Sequence, residues 1–370
     1  MPVRLPFRYL KPVFFGGLFD DPLLYVKIRP SGRGLLFDAG KMQHVAKRVL
    51  KSLDVVFVSH AHMDHFMGLA ALTRSMHVSS RQLRLYGPPG ILDRLYHLLA
   101  AFDWNLAEDW WGSWLAHAVG ERAMKVCHFD GRTGFAAGPV ESRMHDDGWI
   151  YRNTYLRVRA LILDHKIPVL GFCLEERPGF GVDLEEIRRL GLSPGAWIDT
   201  LRLLVREGRL DQPVELPAVA ATLGPAPTAG RLYRAIGVPG RPASLVYLTD
   251  FGMTEANFER LCQLPVRPTL LVCECAFLRE EKEQARRSMH LCTEDLNLLL
   301  DRLRPDFVLP MHLSKAFLGR SAELYAELEP PSGTQVLRLP DYCSPRPLLA
   351  DDVQWRCSRT GGGEERTWDC

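Results

Sequence analysis

Three histidines and an aspartate fall within six residues, at His60, His62, Asp64 and His65, in the stretch DVVFVSHAHMDHFMGLAAL. One apolar run stops at Ser59 and another resumes at Phe66. A lone histidine near a strand end is ordinarily a satisfied polar residue or a core filler. The pattern H-x-H-x-D-H is different, because three crowded imidazoles and a carboxylate would leave polar atoms desolvated and unpaired. A metal ion removes both costs. Residues i and i+2 of an extended segment point the same way, so His60 and His62 can share one cation. Asp64 and His65 are adjacent, point elsewhere and suit a second cation beside the first. Strand, loop and helix follow one another here in the order such a motif requires.

The elements around this loop are those of a layered α/β protein. LLYVKIRP and GLLFDAG flank the turn SGRG and predict a hairpin. LDVVFVS is a short, nearly all-apolar run that suits a buried strand. YLRVRALILDHKIPVLGFCLE predicts two strands around a histidine, and FGVDLEEIRRLGLSPGAWIDTLRLLVREG predicts two helices joined at LSPG. ASLVYLTDFG, TLLVCECAF and FVLPMHLSK each place an apolar strand just before a potential ligand. TEDLNLLLDRL predicts a helix with Thr293 as its N-cap. Strands with ligands at their ends, separated by helices, place the site along one sheet edge. Trp104, Trp110, Trp111 and Trp114 are expected to pack on the sheet, with a base-stacking wall as the alternative.

The whole chain sets outer limits. Its 370 residues are enough for a large core. Hydrophobic residues make up 46% and charged residues 24%, an ordinary globular balance, and the net charge of +2 does not announce nucleic-acid binding. The nine cysteines are scattered, odd in number and contain no CxxC, which argues against a disulfide framework or a zinc ribbon. The N-terminal MPVRLPFRYLKPVFFGG is interrupted by Arg4, Arg8 and Lys11, a poor signal peptide, and no run reaches the length of a membrane span. A soluble, cytoplasmic protein without membrane contact is expected.

SHAHMDH resembles the metallo-β-lactamase superfamily. LYGPPGI, DHKIPVLGFCLEE, LTDFG, CECAF followed by MHLCTEDL, and LPMHLSKAF, in that order, narrow the resemblance to the ribonuclease Z family. It extends from about Leu53 to Phe317 and is weak over the first fifty residues. The resemblance implies an α/β fold, a four-layer αβ/βα metallo-β-lactamase sandwich with a helical arm inserted. The hydrolase domain would cover 1–345, the arm about 176–215, and a C-terminal tail 346–370. Position by position, it implies that His60, His62 and His165 hold one zinc, that Asp64, His65 and His312 hold a second, and that Asp250 bridges the two. Two such ions can clamp a phosphodiester and make hydroxide available near neutral pH, and manganese or iron also suits nitrogen and oxygen ligands. His290 would be the acid that protonates the leaving oxygen, Glu274 would orient it, and Asp64 would also help position the attacking water.

The implied activity is removal of the 3′ trailer from tRNA precursors. A binuclear hydrolase of the same fold acting on a small phosphodiester or cyclic nucleotide is the alternative, and an RNA-binding protein with a degenerate site is a third reading. DAGKMQ stands where the family has D-C-G-E-G-T, Met63 replaces a small residue, and TDF stands where GDT is usual. Ligands are kept while their neighbours change, which supports hydrolysis more firmly than tRNA as the substrate. From Glu175 to Glu215 six arginines face nine acidic residues. The arm is therefore equally suited to gripping RNA through Arg188, Arg189, Arg202, Arg206 and Arg209 or to a homodimer interface.

Overall fold

The computed structural model describes residues 4–145, 148–177, 180–217, 223–224 and 226–345. The expected tail at 346–370 lies outside the described residues. Eight strands form the first sheet, in chain order: β1 (Leu10–Phe14), β2 (Leu24–Ile28), β3 (Gly34–Phe37), β4 (Leu53–Phe57), β5 (Gln82–Gly87), β6 (Ser113–Val119), β7 (Ala123–Asp130) and β8 (Ala136–Met144). The strands that follow are β9 (Trp149–Arg152), β10 (Leu156–Asp164), β11 (Pro168–Glu176), β12 (Phe180–Val182), β13 (Gly237–Pro239), β14 (Ser244–Leu248), β15 (Leu270–Glu274), β16 (Phe307–Met311) and β17 (Gln335–Val336). Seven of them form the second sheet in the order β17-β16-β15-β14-β11-β10-β9, while β12 and β13 pair as a separate ribbon.

Hydrophobic alternation explains the stacking. In β14, Leu245 and Tyr247 face a core shared with Phe37, Phe57 and Phe172, between the two sheets. The intervening Val246 and Leu248 face a second core with Leu296, Leu299 and Leu300 of the helix Thr293–Leu303. On the far side of the first sheet, Val56 and Leu85 pack against Leu69, Leu72 and Leu95. Helices, sheet, sheet and helices thus make four layers, the αβ/βα sandwich. A fourth, separate core holds the insert together: Ile187, Leu201 and Leu204 pack against Leu232 and Ile236. The helix Ala229–Ile236 completes that core, beyond residue 215, and the β12–β13 ribbon closes its base.

Several local expectations are settled by the same packing. The hairpin at 24–37 and the strand pair on either side of His165 are present. Trp104 and Trp111 pack around His77 and Phe135, and Trp114 is fully buried within β6 with its indole N–H donated to Thr73. The tryptophans therefore belong mainly to the outer face of the first sheet, with Trp110 at its exposed rim. The helix Thr293–Leu303 is capped by Cys292 rather than Thr293. Asp295 accepts the Cys292 N–H at 3.0 Å and is itself held by both terminal nitrogens of Arg286, so its carboxylate is fixed in the capping position. The seven described cysteines are all free. No helix among the described residues is long and apolar enough to cross a membrane.

Candidate metal centre

Nearly every site residue follows the C-terminal end of a strand. Asp38 follows β3, the histidine loop follows β4, His165 lies in the turn between β10 and β11, and Asp250, Glu274 and His312 lie at or just beyond the ends of β14, β15 and β16. The β3–β4 pair and the β14–β15–β16 run are parallel, so their C-terminal ends share one edge. The chain must leave that edge sharply. Five of the seven described non-glycine residues with positive φ are found here: Asp38, Lys166, Asp250, Met289 and His312. Such conformations cost roughly 1–3 kcal/mol each and persist only where the surroundings over-determine them.

The expected ligands converge on two overlapping groups. His60, His62, His165 and Asp250 each offer one atom within 4.8 Å of the others, and Asp64, His65, Asp250 and His312 do the same. Asp250 is common to both: its Oδ2 lies 3.2 Å from His65 Nε2 and 3.7 Å from His60 Nε2, and its Oδ1 lies 3.7 Å from His312 Nε2. Asp64 Oδ2 lies 3.1 Å from His312 Nε2. His44, His77, His97, His117, His128 and His145 take no part in either group. His117, for example, is buried against Tyr86 and donates Nδ1–H to the Leu85 carbonyl; burial first of all pushes its pKa down to about 4.

The tautomers point the same way. His165 Nδ1 meets the Met289 carbonyl at 2.7 Å, and a carbonyl only accepts, so that nitrogen carries the proton. His65 Nδ1 donates to Asp38 Oδ2 at 2.9 Å. In both rings Nε2 is left to act as a donor atom toward a cation. His60 is held at Nδ1 by Ser59 Oγ at 3.0 Å. The Nε2 atoms of His60 and His65 are buried without a hydrogen-bond partner. Such orphaned nitrogens cost stability in an apolar setting but are what a divalent cation requires. The donor set of imidazoles and carboxylates fits zinc, manganese or iron alike.

Electrostatics sort the ring of histidines. Burial, aided by His65, pushes the pKa of His60 down to about 2, so it is neutral. Burial and His165 lower that of His62 as well. Burial opposes protonation of His65 and His312, yet Asp250 and Asp38 hold His65 well above the usual imidazole range, and Asp250 with Asp64 raises His312 to about 9. Burial would raise the carboxylates, but the hydrogen bond from His312 and the nearby charge of His65 hold Asp64 below its ordinary value, and the charges of the same two histidines hold Asp250 well below. Both carboxylates therefore stay ionised. Cations compete with the protons of His65 and His312 for the same negative charge.

His290 stands beside this cluster. Its ring centroid is 4.7 Å from that of His165 and 6.0 Å from that of His312. Its Nδ1 pairs with Glu274 Oε2 at 3.0 Å. Glu274 is fully buried, and its other oxygen accepts the Phe251 N–H at 2.8 Å. Both carboxylate oxygens are thus occupied, which makes Glu274 an orienting group. Burial lowers the pKa of His290, but Glu274, helped by Asp250, outweighs it and the net shift is upward. Asp164 contributes backbone contacts only, through Asn257 and Gly252.

Sequence reasoning left Asp38 without a role and did not single out Ser59, Tyr247 or the Met289 carbonyl. Asp38 is fully buried and accepts from Ser59 N–H, Ser59 Oγ, His65 Nδ1 and Tyr247 Oη. The only signal in the sequence was an aspartate ending an apolar strand.

Comparison with known proteins gives this geometry a family. A profile described as a beta-lactamase superfamily domain matches residues 33–144. Ribonuclease Z of Deinococcus radiodurans is 31% identical over 294 residues, covering 78% of this chain and 85% of that protein. Ribonuclease Z of Methanosarcina acetivorans is 28% identical over 277 residues (72% of this chain, 73% of that protein), and that of Pyrococcus abyssi 25% over 265 residues (69% of each). At that identity and coverage, with histidine and aspartate side chains converging at one sheet edge, the chain belongs to the ribonuclease Z family.

Proposed function

We propose that this chain is a metal-dependent endoribonuclease that removes the 3′ trailer from tRNA precursors. The observation that carries the reading is the convergence of His60, His62, Asp64, His65, His165, Asp250 and His312 around one shared carboxylate. We assign His60, His62, His165 and Asp250 to one cation and Asp64, His65, His312 and Asp250 to a second, with zinc as the expected metal. Bound there, the cations supply Lewis acidity toward a phosphodiester and lower the pKa of water. The chain's own residues do the rest. Asp64, which is partly exposed at the mouth, accepts a hydrogen bond and helps position the attacking water. His290, oriented by Glu274 and biased toward its protonated form, donates a proton from Nε2 to the departing oxygen. The separately cored insert, from about 182 to 239, is assigned to gripping the body of the RNA.

The test is cleavage of a tRNA precursor carrying a 3′ trailer by purified, zinc-loaded protein, beside an Asp250→Ala control. A single cut next to the discriminator base, lost in the control, is the expected result. Hydrolysis of a small chromogenic phosphodiester without any precursor cleavage would instead assign the same centre to a small substrate.

A further inference from the structure

The two cation groups draw on both sheets. His60, His62, Asp64 and His65 come from the first sheet, whereas His165, Asp250 and His312 come from the second. Something must fix one half against the other, and the apolar core between the sheets has no directional preference of its own. Several polar contacts join the halves at this edge: Leu170 N–H donates to the Ser59 carbonyl at 2.9 Å, His312 Nε2 pairs with Asp64 Oδ2 at 3.1 Å, and a side-chain pair reaches Asp38 from within the core itself. Tyr247 is fully buried on the inner face of β14, three residues before Asp250. Its hydroxyl donates to Asp38 Oδ2 at 2.8 Å, from one sheet to the other, across 209 residues of chain. Its ring lies 5.6 Å from that of Phe37, the neighbour of Asp38.

The same oxygen of Asp38 receives His65 Nδ1–H at 2.9 Å and Ser59 Oγ–H at 3.0 Å, while Oδ1 takes the Ser59 N–H at 2.7 Å. Asp38 itself sits in the left-handed region at φ +56°. Its carboxylate is therefore not placed by backbone preference, but by the donors that surround it. Resting on the metal-centre reading above, we infer that Tyr247 is a positioning residue: it holds Asp38, and through Asp38 the ring of His65, so that Nε2 of His65 faces Asp250. Without the hydroxyl, Asp38 keeps only donors from its own sheet, and the His65 ring is tied to the strand that supplies Asp250 only through its own Nε2, 3.2 Å from Asp250 Oδ2. The cation held by Asp64, His65 and His312 is the one most affected. The cation held by His60, His62 and His165 is affected less: His165 is oriented by the Met289 carbonyl, and only His60, through Ser59, touches the Asp38 network.

Tyr247→Phe removes one oxygen and keeps the ring, so the core stays filled. Phe172→Leu is the control. Phe172 packs on Phe37 and Phe57 in the same core and makes no contact with Asp38 through hydrogen bonds. Zinc-binding isotherms and cobalt absorption spectra of the full chain, with thermal melts of the metal-free protein, separate the roles. The wild type is expected to take two equivalents. Tyr247→Phe should weaken one equivalent by about tenfold, as loss of an orienting contact does, with an altered cobalt spectrum and a clearly smaller change at the other equivalent. Phe172→Leu should lower the melting temperature and leave both binding constants in place. Unchanged isotherms in Tyr247→Phe, or a uniform loss at both sites that follows the melting temperature, would overturn the inference while leaving the centre intact. A wild type that binds fewer than two cations would overturn the centre itself, and this inference with it.

Discussion

Charge is handled in opposite ways at the metal edge of the sandwich and in the insert. At that edge, Asp38 reaches partners 21, 27 and 209 residues away, and Glu274 reaches across 16 and 23, all of them out of water or nearly so. In the insert, Arg189 pairs with Glu186, Arg202 with Asp199 and Arg209 with Glu207, each within three residues. Local, solvated pairs are worth little, at most about 1 kcal/mol each. Buried networks cost desolvation and are strongly penalised when one member is removed. The metal edge thus gives up stability to hold donors in fixed places, whereas the insert relies on its own apolar core. A substitution in the first region should change chemistry, and one in the second should change stability or RNA contact.

The largest effect is expected at Asp250, which both cation groups share. Asp250→Ala should lose both equivalents of bound metal and all precursor cleavage. Elemental analysis of the purified variant is the check, and retention of two cations would show that the buried network serves another purpose. Next comes His290→Ala. It should keep its metal and lose turnover by about 10²-fold or more, as expected for removal of a positioned proton donor. Full activity in that variant would take His290 out of the mechanism.

Glu274→Gln sharpens the same point through pH. Burial favours neutral His290, but Glu274 raises its pKa above the ordinary imidazole value. A group with a raised pKa keeps its proton as pH rises until that higher value is passed. Cleavage that needs protonated His290 should therefore fail on the alkaline side, and Glu274→Gln should move that failure to lower pH with metal content unchanged. A pH–rate profile of the two proteins decides it. An identical alkaline limb would mean that Glu274 has no influence on the proton of His290.

The contrast between the regions also explains what the sequence disclosed. The histidine loop stood out because four metal-affine side chains are close in sequence, whereas His165, Asp250 and His312 were picked out by the family resemblance of the segments around them, since a strand end alone marks Asp38 equally well. The two helices of the insert at 184–206 announced themselves by local periodicity. The third, Ala229–Ile236, joins their core from beyond a stretch with no such pattern and was missed. Asp38 and Tyr247 were illegible as a pair, since nothing in a strand's alternation says which residue of another sheet it will meet. The cap of the helix Thr293–Leu303 went to Cys292 because Arg286 pins Asp295, a contact that threonine preference alone does not foresee.

The smallest effect on the centre is expected from the insert's core. Leu201 is fully buried there among Ile187, Leu204 and Leu232. Leu201→Ala removes three carbons from a small core that shares no residue with the inter-sheet core, so it should cost about 2–5 kcal/mol of that unit's stability. Because the metal groups lie at the other end of β10 and β11 from the β12–β13 ribbon, two equivalents of metal and hydrolysis of a small phosphodiester should survive. Binding of the tRNA precursor should fall, since the surface that carries Arg188, Arg189 and Arg202 would no longer be held in one shape. Parallel measurement of metal content, small-substrate turnover and precursor binding checks all three. Loss of metal in this variant would show that the two regions are one cooperative unit, and that their different ways of holding charge do not separate their functions.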